Sequence, residues 1–107
     1  MTSDAIRRLN DTFRSTFAGG RVMMTAGVDA LPGLTKAKLL AAVRSFSVFT
    51  PDNDPYGEHD FGSLTVDDVG VFFKIDYYDP TLTAGSEDPA DPTKTTRVLT
   101  IMLKEEY

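Results

Sequence analysis

Residues 60–78 read DFGSLTVDDVGVFFKIDYY. The apolar and polar side chains of this stretch alternate with a period of two, which is typical of strands that bury one face. Residues 60–66 are predicted to form one strand, and Asp67-Asp68 the hairpin turn that follows it. The next strand places Val71, Phe73, Ile75 and Tyr77 on one face and Phe72, Lys74, Asp76 and Tyr78 on the other. The stretch therefore predicts an antiparallel hairpin.

The N-terminal region predicts an amphipathic helix. Ser3 or Asp4 is suited to cap its first turn, because a short polar side chain can accept a hydrogen bond from a free backbone N–H. The apolar stripe consists of Ile6, Leu9, Phe13 and Phe17, at helical spacing. The opposite face carries Arg7, Arg8, Asp11 and Arg14.

Between that helix and the hairpin, the pattern predicts one strand and a second helix. Gly19 and Gly20 end the first helix, and residues 21–28 then alternate as a strand does. Its apolar face would consist of Val22, Met24, Ala26 and Val28. Thr35 is predicted to cap a helix over residues 35–46. The buried side of that helix would carry Leu39, Leu40, Val43 and Phe46.

The last predicted strand covers residues 95–103, with Leu99, Ile101 and Leu103 on one face. Taken together, the elements predict an α+β fold in which two helices pack on a four-stranded, mostly antiparallel sheet. A chain of 107 residues has the length of one domain, so residues 1–107 are expected to share one core.

Charge is distributed unevenly along the chain. Of 16 Asp and Glu residues, 13 lie in residues 51–107, whereas seven of the 11 Lys and Arg residues lie in residues 1–50. The net charge is −5. An acidic surface repels a nucleic-acid backbone and attracts basic proteins. We therefore expect a basic protein partner and no direct nucleic-acid binding.

The composition also excludes several kinds of chemistry. There is no cysteine, so thiolate metal sites, thiol nucleophiles and disulfides are excluded. Residues 1–17 mix charged with apolar side chains, unlike a signal peptide or a membrane span. We expect a cytoplasmic protein without a membrane segment, and no motif indicates a cofactor.

Residues 79–94 form a candidate working surface. The segment is longer than most connections in compact domains, and such loops are often functional or mobile. Its carboxylates could offer oxygen ligands to a hard cation, although their spacing is not that of an EF-hand. The alternative is a solvated loop rich in turns, because Asp-Pro pairs initiate turns. The candidate residues are Tyr78, Asp79, Glu87, Asp88 and Asp91.

His59 and Asp60 form a second candidate. A histidine next to a carboxylate can serve as a metal pair, or as a general base held in one tautomer. The alternative is that His59 makes local hydrogen bonds where a loop meets a strand. His59 is the only histidine, so a zinc site would lack nitrogen ligands.

Most of the chain resembles one known family. The segments that carry the resemblance include residues 6–13, 20–28 and 53–55, together with His59-Asp60-Phe61-Gly62-Ser63, residues 74–79, 86–92 and 96–103, and Glu106-Tyr107. They resemble the bacterial domain-of-unknown-function family numbered three-seven-six-eight. The resemblance implies a small bacterial protein of the kind often encoded on plasmids or phages. It implies no catalytic residues, because none is assigned in that family.

Three functions follow as hypotheses. The first is a non-enzymatic interaction protein, in one version an inhibitor of a host defence complex of CRISPR type whose carboxylates mimic phosphates. The second is a metal-dependent hydrolase or nuclease using His59 with Asp60, Asp76 and Asp79. The third is a structural or regulatory accessory protein that dimerises through an exposed sheet edge at residues 95–103.

Overall fold

A computed structural model describes residues 2–107. Two long helices lie in the N-terminal half, and a β-hairpin and a final strand form most of the C-terminal half. The elements are α1 (Thr2–Thr16), β1 (Gly20–Met24), α2 (Ala26–Asp29), α3 (Gly33–Arg44), β2 (Phe61–Val66), β3 (Val69–Tyr78), β4 (Thr96–Leu103) and a terminal 3-10 helix (Lys104–Glu106). None of the helices in residues 2–107 is long and apolar enough to cross a membrane.

The sheet has the strand order β1-β4-β3-β2. β3 is antiparallel to both β2 and β4, but β1 runs parallel to β4. The expectation of an α+β fold with four strands is confirmed, whereas the mostly antiparallel sheet is corrected to a mixed one. The parallel pair arises because the chain between β1 and β4 contains α2, α3 and the whole hairpin, which is enough to bring it back in the same direction.

The predicted hairpin is confirmed in its strands and its turn. Phe61 pairs with Lys74 at one end of β2 and Val66 with Val69 at the other, which leaves Asp67 and Asp68 as the two loop residues. Both have positive φ, 50° and 65°. A two-residue hairpin loop needs that conformation to match the right-handed twist of its strands, and aspartate adopts it more readily than most residues.

Three local predictions in the first half are corrected. The strand predicted for residues 21–28 ends at Met24, and Val28 is buried instead in the short helix α2. α3 begins at Gly33 with Pro32 at its N-cap, and the Thr35 hydroxyl donates to Asp67 rather than capping the helix. The side chain of Arg14, placed by the sequence pattern on the face opposite the apolar stripe, is buried. Its guanidinium lies over the Phe49 ring and donates to the Phe46 carbonyl.

The core lies between the helices and one face of the sheet. Its buried side chains are Phe13, Val28, Leu39, Val43, Val71, Phe73, Ile75, Leu99 and Ile101. The other face of the sheet is not covered by a helix in residues 2–107, and we call it the open face. On it the Phe61, Phe72 and Tyr107 rings contact one another at its β2 side. The domain therefore has two layers, and one side of its sheet is available for contact.

The position of β4 corrects the predicted dimer contact. β4 is hydrogen-bonded to β1 on one side and to β3 on the other. An inner strand has no free edge, so residues 95–103 cannot pair with a second chain in the way that the sequence suggested. The edge strands are β1 and β2.

Candidate functional site

A buried polar network lies at the end of the sheet where β3 ends and β4 begins. Its centre is Asn10 of α1, whose side chain is completely buried. The Asn10 amide Nδ2 donates to the Tyr77 hydroxyl (2.8 Å) and to the backbone carbonyl of Glu58 (3.0 Å). Its Oδ1 accepts from Nε of Arg97 (2.8 Å). One side chain thus joins three separate parts of the chain.

Arg97 and Tyr77 complete the network. Arg97 lies on the inner face of β4, 3% exposed, and its Nη2 donates to the Pro89 carbonyl. Its guanidinium lies over the Tyr77 ring, 5.3 Å from the ring centroid. The Tyr77 hydroxyl donates to Oε1 of Glu58 (2.8 Å). Burial raises the pKa of Tyr77, so its hydroxyl keeps its proton at physiological pH. Burial lowers the pKa of Arg97, because a charged guanidinium loses hydration inside the protein.

The network fixes the two longest loops of the chain. We call residues 46–60 the first loop and residues 79–95 the second loop. Glu58 anchors the first loop to Asn10 and Tyr77, and Pro89 anchors the second loop to Arg97. The two regions that the sequence indicated as candidate sites therefore lie on either side of one hydrogen-bonded scaffold.

His59 is held by α1 and by the first loop. Its Nδ1 lies 2.8 Å from Oδ1 of Asp11, and its ring stacks on Phe49 at a centroid distance of 3.8 Å and an interplanar angle of 4°. The carboxylate that orients this ring is therefore Asp11, and not the neighbouring Asp60 of the proposed catalytic pair. His59 has a positive φ of 57°, a conformation that histidine adopts more often than most residues.

The first loop is rigid because its polar groups satisfy one another. Asp54 is buried, and its carboxylate accepts hydrogen bonds from the backbone N–H groups of Glu58 and His59. At the start of the loop, Asn53 Oδ1 accepts from the backbone N–H of Thr50. The loop nevertheless presents large side chains to solvent, with Tyr56 79% and Val48 67% exposed. Such groups on a preorganised loop are typical of a contact surface.

Asp60 occupies an unfavourable position for a charge. Burial raises the pKa of its carboxyl group, and the negative charges of Glu58, Asp54 and Asp76 raise the pKa further. Asp76 itself is ion-paired with Lys74 (2.8 Å) on the open face. A hydrogen bond from the backbone N–H of Asp60 to its own carboxylate lowers the pKa and offsets part of this effect. In residues 2–107 the Asp60 carboxylate has no ion-pair partner.

We expect the change Asp60→Asn to raise the free energy of unfolding at pH 7. A raised pKa means that the folded state disfavours ionisation, so the charge costs stability at any pH above the folded pKa. The cost disappears below the unfolded value of 3.8, where the group is protonated in both states. Urea unfolding at pH 7 and at a pH below 3.8 measures the difference. Asp52→Asn, at an exposed position of the same loop, is the control, and a loss of stability in Asp60→Asn at pH 7 would contradict the prediction.

The second loop is ordered by short turns. The Asp79 carboxylate accepts from the backbone and hydroxyl of Thr81, which lowers the pKa of Asp79, and Asp91 makes the same contacts with Thr93. Further along, the hydroxyls of Ser86 and Thr95 bond each other (2.7 Å). The sequence alternative of a turn-rich loop agrees with these contacts. Glu87 is exposed, and Asp88 and Asp91 are half-buried.

The residues proposed for a metal-dependent hydrolase are not brought together. His59 faces Asp11 and Asp54, Asp76 is paired with Lys74, and Asp79 bonds within its own turn. Over residues 2–107, no three His, Asp or Glu side chains form a group that could hold a metal ion. The geometry gives that hypothesis no support. Tyr78 points to the open face, away from the network that its neighbour Tyr77 joins.

Sequence reasoning missed the centre of the site, although two signals were present. Asn10 lies four residues after Ile6 and three before Phe13, so it interrupts the apolar stripe of α1. Arg97 shares the alternation of Leu99 and Ile101, which places a charged side chain on the core face of β4. A polar residue on a buried face needs partners inside the protein, and these two residues satisfy each other.

One comparison with known proteins gives a match. A family model described as "Protein of unknown function (DUF3768)" matches residues 24–106. The match includes α2, α3, the hairpin, β4 and both long loops, and begins after α1. No curated protein and no solved structure matches the chain.

Proposed function

The chain belongs to the DUF3768 family, and since that family is described only as of unknown function, we propose from the site itself that the protein is a non-enzymatic binding protein. Its contact surface is the acidic end, which we define as the exposed and half-exposed acids of the two long loops, together with Tyr56. Those acids are Asp52, Glu58, Asp60, Asp79, Glu87, Asp88 and Asp91. The observation that carries the proposal is that one buried network fixes both loops at the same end of the sheet.

The charges of the acidic end lack counterions within the domain. Elsewhere in residues 2–107 several acids, though not Asp68, Glu105 or Glu106, form ion pairs: Asp4 with Arg7, Asp29 with Lys36, Asp67 with Lys38 and Asp76 with Lys74. The acids of the acidic end form no ion pair in the same range. A partner that brings Lys or Arg side chains would supply the missing charge. Opposite potentials of this kind accelerate association and determine specificity.

The loops of the acidic end are also preorganised by hydrogen bonds, as suits a binding surface. Asp54 and His59 hold the first loop, and Ser86 and Thr95 hold the second, so little conformational entropy remains to be lost when a partner binds. Tyr56 offers a large exposed ring, and tyrosine is one of the residue types enriched among energetically important contacts.

The partner is expected to be a basic protein and not a nucleic acid, since the acidic end would repel the phosphate groups of a nucleic-acid backbone. A narrower version is a protein whose basic surface normally holds nucleic acid, such as the channel of a CRISPR-type defence complex, which rigid carboxylates could occupy in place of phosphates. This version rests on the charge of the acidic end and on the resemblance to proteins of plasmids and phages.

Charge reversal at the acidic end tests the proposal. The double variant Asp52→Lys/Glu87→Lys should bind a basic protein partner at least about tenfold more weakly, and with a smaller dependence on salt, because contacts at the rim mainly affect the association rate. The control Asp29→Lys/Glu105→Lys makes the same change in net charge at the opposite end of the sheet and should keep binding. The measurement is capture from a bacterial lysate at low salt, followed by titration of the purified partner.

Two results would contradict the proposal. One is that no protein is captured at low salt, and the other is that both double variants lose binding equally, since net charge alone would then explain it. The narrower version requires in addition that excess protein slow DNA cleavage by a purified CRISPR effector, and that the acidic-end variant fail to do so.

A further inference from the structure

A groove crosses the open face of the sheet beside the edge strand β1. Its volume is about 360 Å³. Val98 and Thr100 of β4 form its floor, Arg21 and Met23 of β1 line one side, and Tyr78 of β3 lines the other. Met23 is 56% exposed, whereas Val98 is nearly buried beneath its neighbours. The groove therefore combines an apolar floor with exposed side chains on both sides.

The groove carries an unbalanced positive charge. Lys74 and Asp76, which also line it, form an ion pair at 2.8 Å and neutralise each other. Arg21 is exposed and has no ion-pair partner within residues 2–107. In the strand register Arg21 lies opposite Val98, so its guanidinium borders the apolar floor. A ligand that places a carboxylate beside an apolar side chain would match this arrangement.

The outer edge of β1 is free to pair with another strand. In the described part of the chain, β1 is hydrogen-bonded to β4 on one side and to no strand on the other. Val22 packs against the core, so Arg21 and Met23 both point to the open face. A strand added along β1 would place two side chains, two positions apart, next to Arg21 and Met23.

Leu82 closes one end of the groove in a strained conformation. Its φ is +61°, which is unfavourable for a bulky side chain, and its side chain is 36% exposed at the groove wall. The turn that holds it is formed by Asp79, whose carbonyl accepts from the Leu82 N–H (3.0 Å). The fold thus holds an exposed leucine at the groove in a conformation that bulky side chains rarely adopt.

We propose that the groove and the free edge of β1 bind an extended segment of a partner protein by strand addition. The segment has an acidic residue that pairs with Arg21 and, two positions away, a large apolar residue that packs on Met23, Val98 and Leu82. This surface faces the open side of the sheet and adjoins the acidic end at the turn that contains Asp79 and Leu82, and it has the opposite charge preference. The protein would thereby contact an acidic segment on the open face and a basic partner at the acidic end.

A charge-swap titration tests the proposal. The probes are two blocked hexapeptides, TETLTT and its counterpart TKTLTT, added to the ¹⁵N-labelled protein. We expect TETLTT to shift the amide resonances of residues 20–24 and 98–100 and to bind at least about fivefold more tightly than TKTLTT, since one charge-assisted contact contributes about 1 kcal/mol or more. In the Arg21→Glu variant the order should reverse. Absence of these shifts with both peptides, or the same order in both proteins, would overturn the proposal.

Leu82 supplies a second, independent measurement. Asparagine tolerates positive φ, so Leu82→Asn should leave the melting temperature unchanged or higher while weakening TETLTT binding severalfold. A variant with undiminished peptide binding would remove Leu82 from the proposal. Sedimentation could instead show a dimer that forms as the concentration rises, with the amide resonances of β1 shifting over the same concentrations. The groove would then bind a second copy of the chain, and the proposal of a partner segment would be wrong. The variants that test the acidic end change Asp52 and Glu87, and neither residue lines the groove, so the two proposals can fail separately.

Discussion

The change Asn10→Leu is expected to lower the free energy of unfolding by about 3–5 kcal/mol, because it removes three hydrogen bonds from a fully buried position. Leucine has the same branched shape and a good helix propensity, so α1 is retained, and its larger methyl groups add a cost of overpacking at this buried position. The loss comes from the groups left behind. The Glu58 carbonyl and Nε of Arg97 would remain buried without their partner, and the latter belongs to a charged group. Urea unfolding followed by circular dichroism measures the effect.

A double-mutant cycle identifies the cause of that loss. Changing Arg97→Met in the Asn10→Leu background removes the buried charge that had lost its acceptor. The double variant should therefore be more stable than the sum of the single effects predicts, by about 1–3 kcal/mol. The exposed neighbour Arg8→Leu controls for the addition of an apolar side chain to α1, and should change stability by less than about 0.5 kcal/mol. Additive single effects would mean that Asn10 and Arg97 do not act as a pair.

The change Gly62→Ala in β2 is also expected to lower the free energy of unfolding substantially. A Cβ atom at this position would overlap the ring of Phe73 and lie close to the ring of Phe46. Phe73 cannot move away easily, because it is fully buried and packs edge-on against Phe46 at 5.1 Å. Overpacking of this kind costs about 1–3 kcal/mol. The measurement is again the free energy of unfolding in urea.

Two further variants distinguish overpacking from a general effect of the added methyl group. Gly33→Ala lies at the start of α3 with open space around it, and should stabilise the protein by about 0.4–1 kcal/mol. Phe73→Leu in the Gly62→Ala background makes room for the methyl group and should recover part of the loss. If Gly62→Ala proved neutral, the Phe46 and Phe73 rings would have to be mobile in solution.

The fold was predictable where local pattern and tertiary structure agree. The alternation in residues 60–78 predicted both strands, the turn and the buried faces, because each strand meets the core on one side and solvent on the other. The errors arose where the same pattern of apolar residues is compatible with either a strand or a short helix. Residues 21–28 alternate as a strand does, but Val28 reaches the core from a helix, and a burial pattern alone does not distinguish the two. The parallel pairing of β1 with β4 depends on contacts far apart in sequence and has no local signal.

The candidate site was predictable only as two separate segments. Turn residues and carboxylates marked the region around His59 and the region from Glu87 to Asp91, but the sequence could not indicate that Asn10 and Arg97 connect them. These two residues are 87 positions apart. The sequence offered Asp60 as one possible partner of His59 because the two are adjacent in the chain, whereas the carboxylate at hydrogen-bond distance is that of Asp11, 48 positions away.

The pairing of β1 with β4 has a consequence for how the protein is made. A chain emerging from the ribosome presents α1 and β1 first, but the strand that β1 needs consists of residues 96–103. Until those residues emerge, Asn10 lacks Arg97 and the apolar face of α1 lacks most of its sheet. Contacts between distant residues also form slowly, because the long intervening chain must first be brought together. The N-terminal segment therefore stays without its strand partner until residues 96–103 have been synthesised.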